Sequence, residues 1–516
     1  MVVGDILART ARLAPNREAL VFGRTRLSYR AFDEAANRLA NALRGLGVGA
    51  GERVAILLRN CHQYEIAVFG IAKAGGVAVP VNFRLNAEEI RFILTHAGAR
   101  AVITSGEFLD LLDPVMPDLG DVKVWISVDG DRGRAASFDR VLAMASAAPP
   151  GVPVAEGDLA FIFYTSGTTG LPKGAMITHA NMTISAMIGA IELRLRAGEI
   201  GLFSIPLFHG GGGSAPMGFF LMGATAVVAE YDPERVAALI EAERVTTATF
   251  VPAMILFLLD SPGRRRYDLG SMKRILDGAA PMPTDRLKEV IREWGIEFYN
   301  IYGLTETALF LSVLHPEDYA VDGPAEKVRR LGSVGREAVG IELRVIDDGG
   351  HEVATGGTGE IIARGRNITS GYWNAPEETA RVLRGGWFHT GDVAMTDDEG
   401  YLYIVDRKKD IIISGGENIS SVQVEEALYT HPAVREAAVI GIPDDRWGEA
   451  VRAIVVLREG MAANEAEVIE HCRARLASYK KPRAVDFVAT LPRNPSGKVL
   501  KHVLREPFWR DRVRQV

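Results

Sequence analysis

The segment Tyr164-Thr-Ser-Gly-Thr-Thr-Gly-Leu-Pro-Lys-Gly174 constrains this chain more than any other stretch. Its eleven residues hold three glycines, three threonines, one serine and one lysine. Glycine permits backbone conformations that turn successive N–H groups toward one point, and the hydroxyls add further donors. A loop of this composition suits a polyanion such as a nucleoside triphosphate. The apolar run Leu159-Ala-Phe-Ile-Phe163 precedes it, as a strand precedes a phosphate loop. It is not the P-loop of NTPases, because the spacing from glycine to a Gly-Lys-Ser/Thr triplet is absent.

A chain of 516 residues exceeds one core and calls for two or more domains. Its formal charge of -6 gives no sign of a nucleic-acid surface. Arg264-Arg-Arg266 reads as a solvated loop, with a weak peripheral membrane contact as the alternative. Two cysteines, Cys61 and Cys472, exclude a disulfide scaffold and suit a reducing compartment. Met1 to Ala14 lacks the charged-then-apolar pattern of a signal peptide, so a cytoplasmic location is expected. The uncharged stretch Ile200 to Ala229 is long enough to span a membrane, but it contains Pro206, His209, Pro216 and the run Gly210 to Gly213. It reads as buried strands and a loop around a pocket rather than a transmembrane segment.

The first half alternates helix and strand patterns, which implies helix-covered parallel sheets. Ser28 can cap a helix with Phe32, Ala36, Leu39 and Leu43 on one face. Strand patterns at Arg53–Leu58, Val77–Val81 and Ala101–Thr104 alternate with helical ones at Gln63–Ala74 and Ala87–His96. Gly45-Leu-Gly-Val-Gly-Ala50 matches a dinucleotide fingerprint, but it follows a helix and precedes a strand, so it is a helix C-cap and turn. Short strands from Ile341 to Gly365 predict a small antiparallel sheet or barrel. The last hundred or so residues read as a compact α+β domain. The charged run Asp406-Arg-Lys-Lys-Asp410 is the expected junction, giving domains 1–408 and 409–516.

Three further constellations carry chemistry. In Asn300-Ile-Tyr-Gly-Leu-Thr-Glu306, Tyr302 offers a face for stacking a purine and Asn300 an amide for its edge. Thr305 can donate to a phosphate, and Glu306 can hold Mg²⁺, a hard cation that takes carboxylate oxygen. Thr390-Gly-Asp392 and Asp406-Arg407 bring a carboxylate and a guanidinium on neighbouring loops, suited to ribose hydroxyls. Asn494-Pro-Ser-Gly-Lys498 is a turn that could aim one ammonium into a cleft.

Together and in this order, these segments resemble the core motifs of the adenylate-forming superfamily: acyl- and aryl-CoA synthetases, peptide-synthetase adenylation domains and beetle-type luciferases. Gly278-Ala-Ala-Pro281, Gly371-Tyr-Trp373 and Ser414-Gly-Gly-Glu-Asn418 extend the match along essentially the whole chain. The resemblance implies a large N-terminal domain and a small mobile C-terminal one. It implies that Thr165, Ser166, Gly167, Thr168, Thr169, Gly170 and Lys173 wrap the β- and γ-phosphates of ATP. Gly278, Ala279, Ala280 and Tyr302 would hold adenine, with Asn300, Ile301, Gly303 and Thr305 in the same nucleotide-binding set. Asp392 and Arg407 would hold the ribose and Glu306 the magnesium. Lys498 would sit between the substrate carboxylate and the α-phosphate, and Lys409 matches the hinge. Gly415 and Gly416 would flank the pantetheine of coenzyme A, with Lys480 and Lys481 either candidates for its phosphates or a solvated basic helix end. Asp277 departs from the pattern, which has a small residue before Gly-Ala-Ala-Pro.

The chemistry implied is attack of a carboxylate on the α-phosphate of ATP, then of the CoA thiol on the acyl-adenylate. Catalytic roles fall to Lys498, Glu306, Thr165 and His209. Pro206-Leu-Phe-His209 resembles fatty-acyl and aryl-CoA ligases, whereas amino-acid adenylation domains place an Asp where His209 stands. His209 acts as a gate or carboxylate contact, or else as a core imidazole packed on Phe208. His209-Gly-Gly-Gly-Gly213 resembles an esterase oxyanion loop, but no G-x-S-x-G elbow exists in the chain. The acyl pocket is expected to involve His209–Gly213, Phe250–Pro252, Leu304, Leu309 and Phe310. Its apolar character favours a fatty acid, with an aryl or other ring-bearing acid as the alternative. The expected partners are the acid, ATP and CoA, with a monomer or homodimer as the assembly.

Overall fold

The computed structural model describes residues 1–165, 172–280, 282–407, 410–414, 417–444, 447–493 and 499–510, apart from the side chains of Arg407 and Asn418. Two large sheets carry the N-terminal part. One runs through Glu297–Tyr302, Arg274–Gly278, Thr247–Thr249, Ile200–Phe203 and Thr225–Val228, all parallel, and Ser312–Leu314 extends it antiparallel. The other sets Arg53–Leu57 between Val77–Pro80 and Ala99–Thr104, all parallel. Leu159–Thr165 joins this second sheet parallel to Val77–Pro80 and forms an antiparallel hairpin with Lys173–Thr178.

Helices between and around the sheets are placed by the signals that local chemistry dictates. Ser28 caps the helix Tyr29–Gly45, its hydroxyl accepting from Ala31 N at 3.2 Å. Asn86 and Glu89 form a reciprocal box at the start of Ala87–Ala97, which ends on Gly98 at φ +62°. The core is welded by edge-to-face aromatics: Phe32, Phe69 and Phe220 have ring centroids 5.4 to 5.6 Å apart.

The stretch from Ile200 to Ala229 differs from expectation. Two strands are present, Ile200–Phe203 and Thr225–Val228, but the four glycines open a helix, Gly210–Met222, instead of forming a loop. His209 caps it, its Nδ1 accepting from Gly211 N at 3.3 Å. Glycine weakens a helix by about 1 kcal/mol per residue relative to alanine, yet packing forbids a side chain at Gly212. A Cβ on Gly212 would lie 2.1 Å from the Pro206 carbonyl oxygen. Arg264 also departs from the solvated loop expected of it. It is buried in the short turn Pro262–Arg266, donates from Nε to Leu259 O at 2.8 Å, and pairs with Glu293. Arg265 and Arg266 remain on the surface.

A curled antiparallel sheet follows, built from Ile341–Ile346, Thr358–Gly365, Trp387–Thr396 and Leu402–Arg407. The C-terminal part is a small α+β unit. Its long hairpin Val434–Asp444 and Gly448–Leu457 is flanked by the helices Ser421–Tyr429, Glu465–Arg473 and Lys501–Trp509. Asp406 ties the two parts together, accepting from Ser421 N at 2.7 Å and Ser421 Oγ at 2.6 Å. No helix among the described residues is long and apolar enough to cross a membrane.

Candidate active site

Ligand sites in open parallel sheets lie beyond the carboxyl ends of the strands. Two cavities here share one wall, made by Asp277, Gly278 and Ala279 at the end of Arg274–Gly278 and by Ile301, Gly303 and Leu304 at the end of Glu297–Tyr302. The first, about 790 Å³, is lined on one side by Thr165, Lys173, Thr305 and Glu306, and on the other by His209–Gly212, Phe250, Leu309 and Phe310. The second, about 940 Å³, opens between Ala280, Asn300, Tyr302 and Asp392 of the large part and Arg493, Val499 and Lys501 of the small one.

Thr165 and Lys173 are register partners at the ends of the hairpin that brackets the phosphate-loop sequence. The Lys173 ammonium pairs with Glu378 on the helix Pro376–Val382. That hydrogen bond holds the Glu378 carboxyl below its usual range, and Arg381 adds to the effect. Glu306 is 8% exposed, and Oε1 accepts from the Tyr372 hydroxyl at 2.7 Å. Burial, then the Glu306 charge, pushes the Tyr372 phenol upward, so it stays a donor. The backbone around Glu306 is pinned from outside. Thr369 N donates to Glu306 O at 2.7 Å, and Asn367 Nδ2 donates to Thr307 O and Phe310 O, both at 2.7 Å. This clamp maintains Ala308 at φ +47° and Leu309 at φ +102°, conformations that L-residues rarely adopt. Gly303 is obligatory beneath them, since a Cβ there would fall 1.6 Å from Leu309 O.

On the second cavity, the Tyr302 hydroxyl donates to Asp392 Oδ2 at 2.8 Å, so the expected base platform and ribose carboxylate are one unit. Asp392 and Arg407 are opposed on adjacent antiparallel strands, not on loops as their glycine and charge content suggested. Asp277, 4% exposed, accepts from Gly278 N at 2.8 Å. Burial pushes its carboxyl up to about 8, against the pull of that N–H and of the Asn300 side chain.

The expected residues Thr165, Lys173, His209, Gly278, Ala279, Ala280, Asn300, Ile301, Tyr302, Gly303, Thr305, Glu306 and Asp392 thus line one or both cavities. Ser166, Gly167, Thr168, Thr169, Gly170, Lys409, Gly415, Gly416 and Lys498 lie outside the described residues, as does the Arg407 side chain. The segment holding Lys498 is bracketed by the bridge between Arg493 and Val499, both of which line the second cavity. Of the expected acyl residues, Gly213 lines neither cavity and Pro252 lines only the second. Lys480 Nζ donates to Gln423 Oε1 at 2.8 Å.

Sequence reasoning missed Glu378 and the bond from Tyr372 to Glu306. It also missed Ser185, Ala186 and Gly189 of the helix His179–Glu192, and Leu193 and Leu195 beyond it, which wall the first cavity. The Pro-Glu-Glu that follows Gly371-Tyr-Trp373 was a helix-start signal that could have pointed to Glu378.

Residues 7–373 match the model of the AMP-binding enzyme family, and residues 423–498 match the AMP-binding enzyme C-terminal domain. The chain belongs to the AMP-binding enzyme family. Within this family it is 38% identical to a feruloyl-CoA synthase of an Amycolatopsis species, across 98% of this chain and 99% of the relative. It is 36% identical to the long-chain-fatty-acid–CoA ligase FadD13 of Mycobacterium tuberculosis, across 98% of both chains. The crystal structure of the anthranilate CoA ligase AuaEII in complex with anthranoyl-AMP superposes with a TM-score of 0.90 at 28% identity, over 98% of this chain and 97% of that one. These likenesses place the AMP-binding enzyme in the acid–CoA ligase branch of the adenylate-forming superfamily. Its activity is that of an AMP-forming acid–CoA ligase using ATP and CoA.

Proposed function

We propose that the enzyme joins an apolar carboxylic acid to CoA, with the acid in the Gly210-to-Phe310 part of the first cavity and adenosine in the second. One observation carries this assignment. The first cavity holds the polar residues Lys173, Glu306 and Tyr372 together with the mainly apolar set around Phe250 and Phe310, and it shares Asp277–Ala279, Ile301, Gly303 and Leu304 with the second cavity. The α-phosphate would therefore come to lie where both open. The domains are proposed to divide at 408/409, with Lys409 as the hinge.

A carboxylate is a weak electrophile and needs a leaving group before a thiol can displace its oxygen. Its oxygen attacks the α-phosphorus, the bond to the β-phosphate oxygen breaks, and acyl-AMP and pyrophosphate result. Lys173, freed from Glu378, holds the departing phosphates together with Thr165. Lys498, which follows Arg493 and precedes Val499 in the sequence, stabilises charge on the α-phosphate oxygens. Tyr372 holds the Glu306 carboxylate in place. Among the described residues no group of three or more His, Cys, Asp or Glu could cage a metal. A single buried carboxylate beside phosphate sites fits Mg²⁺, which binds largely through substrate phosphates. When bound there by Glu306, it would neutralise charge on the triphosphate. His209, which caps Gly210–Met222 while lining the acid chamber, acts as a gate whose ring position depends on that cap. In the second half-reaction the CoA thiol, with a pKa of about 8.5 like free cysteine, attacks the acyl carbon and AMP leaves. Gly415 and Gly416 would border its approach.

For the acid, the apolar walls Leu193, Leu195, Phe250 and Phe310 favour a fatty acyl chain. A second reading rests on Ser214 and Thr249, which line the same chamber with buried hydroxyls that have no partner among the described residues. A ring-bearing acid with a polar substituent would give those hydroxyls a partner, which an alkyl chain would not. Pyrophosphate release with a panel of fatty and hydroxylated aryl acids, with and without CoA, decides between them. Release with neither class would sink the proposal.

A further inference from the structure

Among the described residues, Asp277 is the titratable side chain that lines both cavities. It stands opposite Asn300 in a parallel strand pair, so the two side chains leave the sheet on the same face. Its Oδ1 is occupied by Gly278 N at 2.8 Å, and the Asn300 side chain interacts with the same carboxyl. Asn300 itself faces only the second cavity, where the nucleobase is proposed to lie.

A side-chain amide has two unlike ends, a donor Nδ2 and an acceptor Oδ1. Whichever end turns to Asp277, the other is presented to the cavity. A carboxylate only accepts, so it draws Nδ2 and leaves Oδ1 facing the base. Oδ1 can receive a hydrogen bond from an exocyclic amino group, as in adenine, and repels the oxygen of a 6-oxopurine. We infer that Asp277 is a positioning residue that fixes the orientation of the Asn300 amide and so selects adenine over 6-oxopurine nucleotides. The inference rests on the proposal that Asn300 reads the base.

Protonation reverses the geometry. A neutral Asp277 can donate from Oδ2 to Asn300 Oδ1, turning Nδ2 outward. With its carboxyl pushed up to about 8 by burial, Asp277 ionises as pH rises through that value. Discrimination therefore increases with pH. Other titratable groups are packed here. Tyr319 is half-buried and held well above its ordinary value, chiefly by burial. Asp318 accepts from the Tyr401 hydroxyl at 2.5 Å. Arg274 and Glu297, 4.0 Å apart, sit at the far ends of the same strands.

The test is acid-dependent pyrophosphate release with ATP and with inosine triphosphate, compared as a ratio of kcat/KM between pH 6.5 and 9. In the native enzyme the ratio should rise with pH. Asp277→Asn should lower it by about tenfold at pH 9, the scale of one hydrogen bond. The loss should appear in the KM for ATP with kcat within about twofold, and the pH dependence should vanish. Asn300→Ala separates the layers. If it lowers the ratio and Asp277→Asn does not, Asp277 has no part in base selection and the inference falls alone. If Asn300→Ala leaves the ratio unchanged, base reading by Asn300 falls and takes the inference with it. Should Asp277→Asn fold poorly, Asp277→Ser and the pH profile of the native enzyme decide: a flat native profile overturns the inference.

Discussion

The proposed nucleotide side of the cleft and the proposed acid side are made from different surfaces. On the nucleotide side, polar side chains at strand ends hold one another: Tyr302 with Asp392, Tyr372 with Glu306, Lys173 with Glu378. On the acid side, the first turn of a glycine-started helix, the bend after His179–Glu192 and the strained Leu309 give an apolar chamber. Hydrogen bonds have direction and fixed length, so each nucleotide contact demands a particular residue. Apolar burial is non-directional, and many side chains satisfy it equally. The two sides should therefore answer differently to single substitutions.

The largest separation is expected from Lys498→Ala. Adenylation should slow by at least ~100-fold, as when one transition-state donor is lost, while thioester formation from preformed acyl-AMP is nearly spared. Rapid-quench measurement of each half-reaction checks this, and equal losses would remove the division of labour. Tyr372→Phe removes the donor to Glu306 and should lower kcat/KM for ATP by about tenfold, the scale of a hydrogen bond to a charged group. Its effect on the KM of the acid should stay below twofold or so on the same scale. An equal loss for both substrates would erase the contrast.

Gly211→Val probes the other side. A Cβ at this position would lie 3.6 Å from His209 Nδ1 and from Leu309, so the added bulk enters the proposed acid chamber. The KM for long or bulky acids should rise by about fivefold, roughly 1 kcal/mol of lost apolar contact, with the KM for ATP unchanged. Gly303→Ala tests the wall common to both. Steric overlap with Leu309 O should cost about 2–3 kcal/mol of stability, as overpacking does, read as a lower urea midpoint.

The smallest effect on the cleft is expected from Glu65, in the helix His62–Lys73. It is 1% exposed, and burial pushes its carboxyl up to about 8. Between the unfolded value near 4.5 and about 8, the folded state binds the proton more tightly. Stability is therefore lost as pH rises through that window. Glu65→Gln should flatten this slope in denaturant titrations while leaving kcat and both KM values unchanged. A slope equal to that of the native enzyme would remove Glu65 as its source.

The same contrast explains what could be read in the sequence. That Thr165, Lys173, Asn300–Glu306 and Asp392 line the cavities was legible because a motif fixes a residue type at a set spacing. The helix capped by Ser28 and the turn at Gly45 were legible from local rules alone. The helix Gly210–Met222 was not, because glycine's low propensity points away from a helix and only the close approach of Pro206 makes it necessary. Arg264 was misread because an arginine run ordinarily stays in water, whereas Leu259 O, Glu293 and the Trp294 ring supply partners for one of the three. Leu193 and Leu195 carry no motif, and Glu378 finds Lys173 only through a fold that spans 205 residues of sequence.

Isotope transfer tests the central claim most directly. An acid labelled with oxygen-18 in both carboxyl oxygens is turned over with ATP and CoA, and the nucleotide product is weighed by mass spectrometry. Attack of the carboxylate on the α-phosphorus followed by thiol displacement leaves one labelled oxygen on AMP. Unlabelled AMP, or ADP as the product, would contradict it.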